Sequence, residues 1–179
     1  MTLYLNKLIP TFKKKKHWKD IEYFDPGWEE RVALMAQFIE SGKSVLDLGC
    51  GKMHLRKYLV NCTYYPVDYT KRSEDCIICD FNKREFPAIK PNIVFISGCL
   101  EYVKPYRWFI TSACRQSERI IISYCTTDKF TDRRERESLA WVNHLSEEKI
   151  LGLFKTNGFK LSHSLQTKTN NSIFVFDRL

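Results

Sequence analysis

The 179-residue chain has no run of the roughly 18 apolar residues that a bilayer-spanning helix requires, so no transmembrane helix is expected. It has no internal repeat and no low-complexity tract apart from Lys13–Lys16, and its length suits one compact domain. A secretory signal is also missing: Leu3 to Phe12 is apolar, but the lysines come after the apolar part, the reverse of the usual order. Metal ligands are lacking too. Cys76-Ile-Ile-Cys79 has half of a zinc spacing, yet no second CxxC or His pair follows, and residues three apart on a strand face opposite ways. No metal is therefore expected. The seven cysteines (Cys50, Cys62, Cys76, Cys79, Cys99, Cys114 and Cys125) are an odd number, and most fall in apolar stretches where free thiols pack as small hydrophobes. A reducing, cytoplasmic setting is the expectation.

What is present is enough for a core: 44% of residues are apolar and 14% aromatic, which excludes wholesale disorder. The net charge of +8 is uneven, because residues 1–20 carry six lysines and a single acid. The remainder is almost neutral, which weighs against an extended basic face for duplex nucleic acid while leaving a small RNA contact open.

A basic arm is expected over residues 1–24 and a single domain over 25–179. Asp25-Pro26-Gly27 has the form of a helix start, with Val32, Met35, Ala36 and Ile39 at helical spacing and Ser41-Gly42 as the stop. Strands are expected at Ser44–Leu48, Tyr64–Asp68, Cys76–Asp80, Asn92–Ser97 and Arg119–Tyr124, with helices after Gly51 and over Arg107–Gln116. Pro66 is awkward in a strand unless it lies near the start or on a weakly paired side. Ser146-Glu-Glu opens another helix that Gly158 stops, and Phe159–Leu165 and Ser172–Phe176 form a closing hairpin. This pattern describes an α/β fold: a mostly parallel seven-stranded sheet with one antiparallel strand and helices on both faces. Ligands on such sheets bind beyond the carboxyl ends of the strands.

At the first of those ends stands Val45-Leu-Asp-Leu-Gly-Cys-Gly51, whose glycines allow a tight turn and close approach to a ligand. A lone GxG pair is as readily a structural turn. Asp68 sharpens it, seventeen residues past Gly51 at the next strand end, where a carboxylate can accept both hydroxyls of a ribose. Asp80 ends the following strand, placed to accept from an adenine amino group, with Phe81 beside it as an apolar face. A dinucleotide site would want a small residue three places after Gly51, where bulky His54 stands. Asp47 also sits just before the glycines, poor for an anion and good for an ammonium. A nucleoside joined to a cationic, amino-acid-bearing group fits better than a dinucleotide.

The run Val45–Gly51 resembles the first motif of class I S-adenosylmethionine-dependent methyltransferases, and the likeness extends from about Asp25 to the C-terminus. It implies a Rossmann-like methyltransferase fold, S-adenosylmethionine as cofactor, and a donor site comprising Asp47, Gly49, Cys50, Gly51, Asp68, Asp80 and Phe81. By the same resemblance, the backbone around Ser97 and Gly98 meets the methionine amino group. Two departures stand out: Met53 replaces a common third glycine, and Tyr102 stands where many members have His after Glu101. Tyr65–Arg72 and Cys79–Lys83 look like small methyltransferases that accompany bacterial surface-glycan synthesis.

Methyl transfer from a sulfonium needs proximity, alignment and removal of an acceptor proton. Glu101, Tyr102 and His144 are candidate catalytic residues near the carboxyl ends of the fourth and fifth strands, alongside Tyr124 and Asp128. His144 has a suitable ordinary pKa, about 6.5, and is equally a histidine bonding the backbone at a helix start. Tyr102 either lines the methyl pocket or packs. Ser97-Gly-Cys-Leu100 lacks the Asn/Asp-Pro-Pro-aromatic pattern of enzymes methylating amino groups on bases. The charged stretch holding Arg133, Arg134 and Arg136 is either an exposed salt-bridged helix or a clamp for a phosphate or carboxylate on the acceptor. The favoured function is O-methylation of a small-molecule, sugar or glycan acceptor, nucleotide-linked or lipid-linked. An RNA methyltransferase and a non-catalytic donor-binding partner protein are the alternatives. The lysine-rich arm offers a peripheral contact with an anionic membrane, a flap over the site or a free tail.

Overall fold

A computed structural model describes residues 26–179, so the basic arm and the Asp25 cap lie outside the described residues. Ser44–Leu48 forms β1, buried after its first residue. Its apolar run is continuous because helices cover both faces of the sheet. Val45 points to the side packed by Val32 and Met35 of α1 (Pro26–Ala36), together with Ile93, Phe95, Ile121, Ile173 and Val175. Leu46 and Leu48 point the other way, into a larger core with Val94, Ile96, Ile120, Ile122, Phe174 and Phe176. That second core is closed by α2 (Tyr106–Gln116) and α4 (Glu147–Lys155) through Phe109, Ile110, Ile150, Leu153 and Phe154.

The remaining strands are β2 (Thr63–Asp68), β3 (Ile77–Ile78), β4 (Ile93–Ser97), β5 (Arg119–Tyr124), β6 (Phe159–Gln166) and β7 (Ser172–Arg178). They pair in the order β3-β2-β1-β4-β5-β7-β6, and β7 alone runs against the other six. The fold is the expected Rossmann-like α/β sheet with one antiparallel strand. Pro66 is tolerated for a visible reason: β3 pairs only Val67 and Asp68, so on that side the ladder has not begun at Pro66.

Some elements differ from their expected extents. The strand expected over Cys76–Asp80 is two residues long, because Asp80 is drawn into capping the turn Phe81–Lys83. The helix expected after Gly51 is a single 3-10 turn, His54–Tyr58, entered through Met53 in the left-handed region (φ 56°). α1 ends at Ala36, earlier than Ser41-Gly42 implied, and Phe38 and Ile39 continue it only as a turn bonded back to Met35 and Ala36. β6 has the anticipated place but is largely exposed, as an outermost strand interrupted by a bulge between Leu161 and His163. α4 starts as read, with Ser146 Oγ accepting from the Lys149 N–H at 3.2 Å. The charged stretch forms a short helix, α3 (Arg133–Ser138), capped by Asp132.

Candidate active site

The turn after β1 is tied to β2 by its backbone. The N–H groups of Gly49 and Cys50 both donate to the Val67 carbonyl, at 2.8 and 2.9 Å. Gly49 has φ +80°, and a Cβ there would lie 2.7 Å from Cys99 Sγ, so only glycine meets both demands. Gly51 donates its N–H to Asp68 Oδ2 at 3.1 Å, joining the glycine turn directly to the acid at the end of β2. Asp68 Oδ1 accepts from the Thr70 N–H at 3.1 Å, and Arg72 Nε lies 3.5 Å from Oδ2. The Asp68 residue is 5% exposed.

Asp47 is buried within β1 and accepts a hydrogen bond from the Tyr64 hydroxyl at 2.7 Å. Burial pushes its pKa up to about 7; the Tyr64 bond opposes the rise and the Asp68 charge adds to it. Burial also raises the thiols of Cys50 and Cys99, and the neighbouring acid charges raise them further, so both stay protonated.

Asp80 lies at the rim. Its Oδ1 accepts from the Asn82 N–H at 3.0 Å, its own N–H donates to Glu85 Oε2 at 2.8 Å, and Lys83 Nζ stands 3.8 Å away. Phe81 departs from the expected geometry: its ring is turned into the core, 4.8 Å from the Phe109 ring, rather than lying open beside Asp80. The burial gain of a full aromatic ring explains that choice.

Ser97 ends β4 and Gly98 follows it, beneath a residue that sequence reasoning missed. Arg31, from α1, donates from Nε to Ser97 Oγ at 3.0 Å and from Nη1 to Asn171 Oδ1 at 3.3 Å. Gly98 has φ +63°, and a Cβ there would meet Arg31 Nη2 at 2.7 Å. The guanidinium therefore lies directly over the turn. No local pattern announces Arg31; it is one charged residue on an amphipathic helix.

The candidates for acceptor chemistry lie on the β4–β5 side. Glu101 Oε1 accepts from the Cys125 N–H at 3.0 Å, while Oε2 is buried with no hydrogen-bond partner among the described residues. Burial raises its pKa. The Tyr102 hydroxyl accepts from Trp141 Nε1 at 2.9 Å, and burial raises its pKa as well. His144 Nδ1 accepts from Arg136 Nε at 3.1 Å. That bond puts the proton of neutral His144 on Nε2, which faces Glu137 at 3.9 Å. Desolvation first, then the Arg136 and Arg133 charges, lowers the imidazole pKa. As placed, His144 has no lone pair to offer an acceptor.

Arg136 is the hub of this side and a second residue that sequence reasoning misplaced. Fully buried, it donates from Nη1 to the carbonyls of Cys125 (2.8 Å) and Phe130 (3.2 Å) and from Nη2 to the Tyr124 hydroxyl (3.3 Å). It also stacks over Trp141 at 4.8 Å. Its donors are spent internally, so it is not an exposed anion clamp. Arg133 is paired with Glu137 at 2.8 Å, and Arg134 is exposed. Tyr124 in turn donates to Asn143 Oδ1 at 2.6 Å, and Asn143 Nδ2 donates to the carbonyls of Leu100 and Val103.

The carboxyl edge thus brings Gly49, Gly51, Asp47 and Asp68 together, with Glu101 and the 97–98 turn beside them; Asp80 stands at the rim and Phe81 behind it. Among the described residues no group of three or more His, Cys, Asp or Glu is placed to hold a metal ion. Residues 18–164 match the model of a family described as a methyltransferase domain. The chain belongs to that family. Its fold is shared by solved methyltransferases at low identity. The pyocyanin biosynthetic protein PhzM superimposes with a TM-score of 0.66 at 13% identity, over 83% of this chain and 54% of that one. This methyltransferase-family chain thus spans about half the length of PhzM. The putative methyltransferase solved with the Haloferax volcanii activator Trm112 gives a TM-score of 0.67 at 14% identity, covering 85% of this chain and 92% of that one. Magnesium protoporphyrin IX methyltransferase (ChlM) of Synechocystis PCC 6803, solved with S-adenosylhomocysteine, gives 0.63 at 18%, covering 86% and 82%. No curated protein matches the sequence.

Proposed function

We propose that the chain transfers a methyl group from S-adenosylmethionine to a hydroxyl of a small-molecule acceptor, a sugar or glycan among them. The observation that carries this reading is Asp68, a nearly closed-off carboxylate joined to the backbone of the glycine turn. Its two oxygens each accept one backbone N–H and retain lone-pair capacity for ribose hydroxyls. Thr70 Oγ1 is buried without a partner among the described residues and adds a second polar group near the sugar. Asp47, Asp68 and Glu101 make the edge acidic, which suits a donor bearing an ammonium and a sulfonium. The residues present therefore fit the donor: Asp68 for the ribose, Asp80 for the adenine amino group, and the Ser97-Gly98 backbone for the amino-acid end.

When bound, the donor supplies a methyl group already activated on sulfur for in-line displacement. The chain supplies alignment and takes the acceptor proton. Of the three candidates, Glu101 alone has an oxygen without a hydrogen-bond partner among the described residues, so it is the base in this reading. Tyr102 and Trp141 form the neighbouring wall, and His144 positions Arg136. Fold neighbours that include magnesium protoporphyrin IX methyltransferase and the 1,6-didemethyltoxoflavin-N1-methyltransferase of Burkholderia thailandensis are named for small-molecule acceptors, which supports that class. The seven unbridged cysteines support a cytoplasmic location, with the basic arm as a peripheral membrane contact.

Calorimetric titration with S-adenosylmethionine tests the reading. Asp68→Ala is expected to weaken binding by roughly 1.5–3 kcal/mol, the worth of charge-assisted hydrogen bonds, with the unfolding midpoint little changed. Unaltered affinity would overturn the assignment.

A further inference from the structure

Four cations gather on a surface whose lining shares no residue with the donor edge. A groove of about 480 Å³ between α2 and α4 is lined by Arg107, Ser146, Glu148, Lys149, Gly152, Leu153 and Thr156. It adjoins a second depression of about 290 Å³, bordered by Arg84, Lys104, Pro105, Tyr106, Arg107 and Trp108. Arg107 belongs to both, so the two read as one track. Arg84, Lys104, Arg107 and Lys149 are all exposed, and none forms an ion pair with an acid among the described residues. Several other cations of this nearly neutral body are paired with acids, as are Arg56 with Asp75, Lys57 with Glu29, Arg119 with Asp177 and Arg178 with Glu118, and the exposed cations without such a pair, Arg115 and Lys155 among them, line neither depression. Glu148 is the single acid in the lining.

We infer that this track docks an acidic, extended segment of a partner protein. Between the cations the lining is carbon: Leu153, Pro105 and the edges of Tyr106 and Trp108, with Gly152 leaving the floor open, since a Cβ there would meet nothing within 4 Å. Carboxylates spaced along a peptide meet the cations while its small apolar side chains meet this floor. A single-stranded RNA fits less well. Base stacking needs open aromatic faces, but Trp108 is partly buried edge-on against Phe86 at 6.1 Å, and the Tyr106 ring lies under Arg107 at 5.6 Å.

The test uses a fluorescently labelled glutamate-rich peptide with interspersed leucines, its glutamine counterpart, and a labelled oligouridylate, each titrated against the full chain by anisotropy. The glutamate peptide is expected to bind with an affinity that falls as salt rises, and the glutamine peptide not to bind. Arg107→Glu combined with Lys149→Glu should weaken binding by about tenfold or more, with donor affinity unchanged in calorimetry. Arg107→Gln, a neutral change at the same exposed position, keeps the test valid if charge reversal disturbs folding. No binding of the glutamate peptide, equal binding by the variants, or preference for the oligouridylate overturns the inference. Because donor affinity is read on the same samples, failure here and failure of the methyltransferase reading remain distinguishable.

Discussion

The two halves of the carboxyl edge are wired differently. Around β1 and β2 the connections are backbone: N–H groups of Gly49, Cys50 and Gly51 reach the Val67 carbonyl and Asp68. Around β4 and β5 they are made by side chains, with Arg136, Tyr124, Asn143, Glu101 and His144 bridging distant segments. Backbone wiring shapes a turn and leaves carboxylate lone pairs for a ligand. Side-chain wiring consumes the groups it uses and makes a stiff wall. Damage to the first half should register in ligand affinity, and damage to the second in folding stability.

The largest expected effect tests the wall. Arg136→Met removes a buried guanidinium and strands two carbonyls and His144 Nδ1, while the Tyr124 hydroxyl keeps its bond to Asn143. A loss of about 3 kcal/mol or more in urea unfolding is expected, since charged buried hydrogen bonds are costly to break. Retained stability with weakened donor binding would invert the comparison.

Gly49→Ala is next, and it is where fold and affinity should fail together. The left-handed backbone adds about 1–2 kcal/mol of strain, and the clash with Cys99 Sγ at 2.7 Å adds overpacking of similar size. Adding Cys99→Ala should recover the packing part and leave the dihedral part. Complete recovery would show that space alone demands the glycine.

A smaller effect follows pH. Asp47 has a folded pKa of about 7, raised above its ordinary value by burial. Between about pH 4 and pH 7 the folded state holds a proton that the unfolded chain has released, so this group makes stability fall as pH rises and level off above 7. Asp47→Asn should flatten that slope in urea titrations from pH 5 to 8; an unchanged slope would assign the pH dependence to another group. Arg133→Ala should do least. The Arg133–Glu137 pair is exposed and meets the wall only where Glu137 approaches His144 Nε2 at 3.9 Å, so neither stability nor donor affinity should move beyond experimental error.

The legible part of the site is the part wired by near neighbours along each strand end. Val45–Gly51 declares a buried strand and a glycine turn, and the interval to Asp68 places an acid at the end of the adjacent strand; the observed Gly51–Asp68 bond joins them. The mostly parallel sheet with one antiparallel strand was legible for a similar reason, because helices alternating with apolar strands make parallel crossovers, whereas the strand order came from the structure. Illegible were Arg31 over Gly98 and Arg136 inside the wall. Arg31 arrives from a helix far along the chain and Arg136 from a short charged one nearby, and an arginine on a helix reads as solvent-facing until packing closes over it. Phe81 misled for the converse reason: its position beside Asp80 says nothing about which way the ring turns, and the Phe109 contact decides that.

By itself the amino-acid sequence determined the alternation of strands and helices, the glycine turn with its following acids, and the antiparallel close of the chain. These rest on periodicity, backbone dihedrals and short-range spacing, which each segment carries within itself. Tertiary structure alone decided which charged groups are buried and paired, where His144 carries its proton, and which cations line the track beside α2 and α4. Burial and pairing depend on what the rest of the chain brings against a side chain, and that is a property of the packed whole.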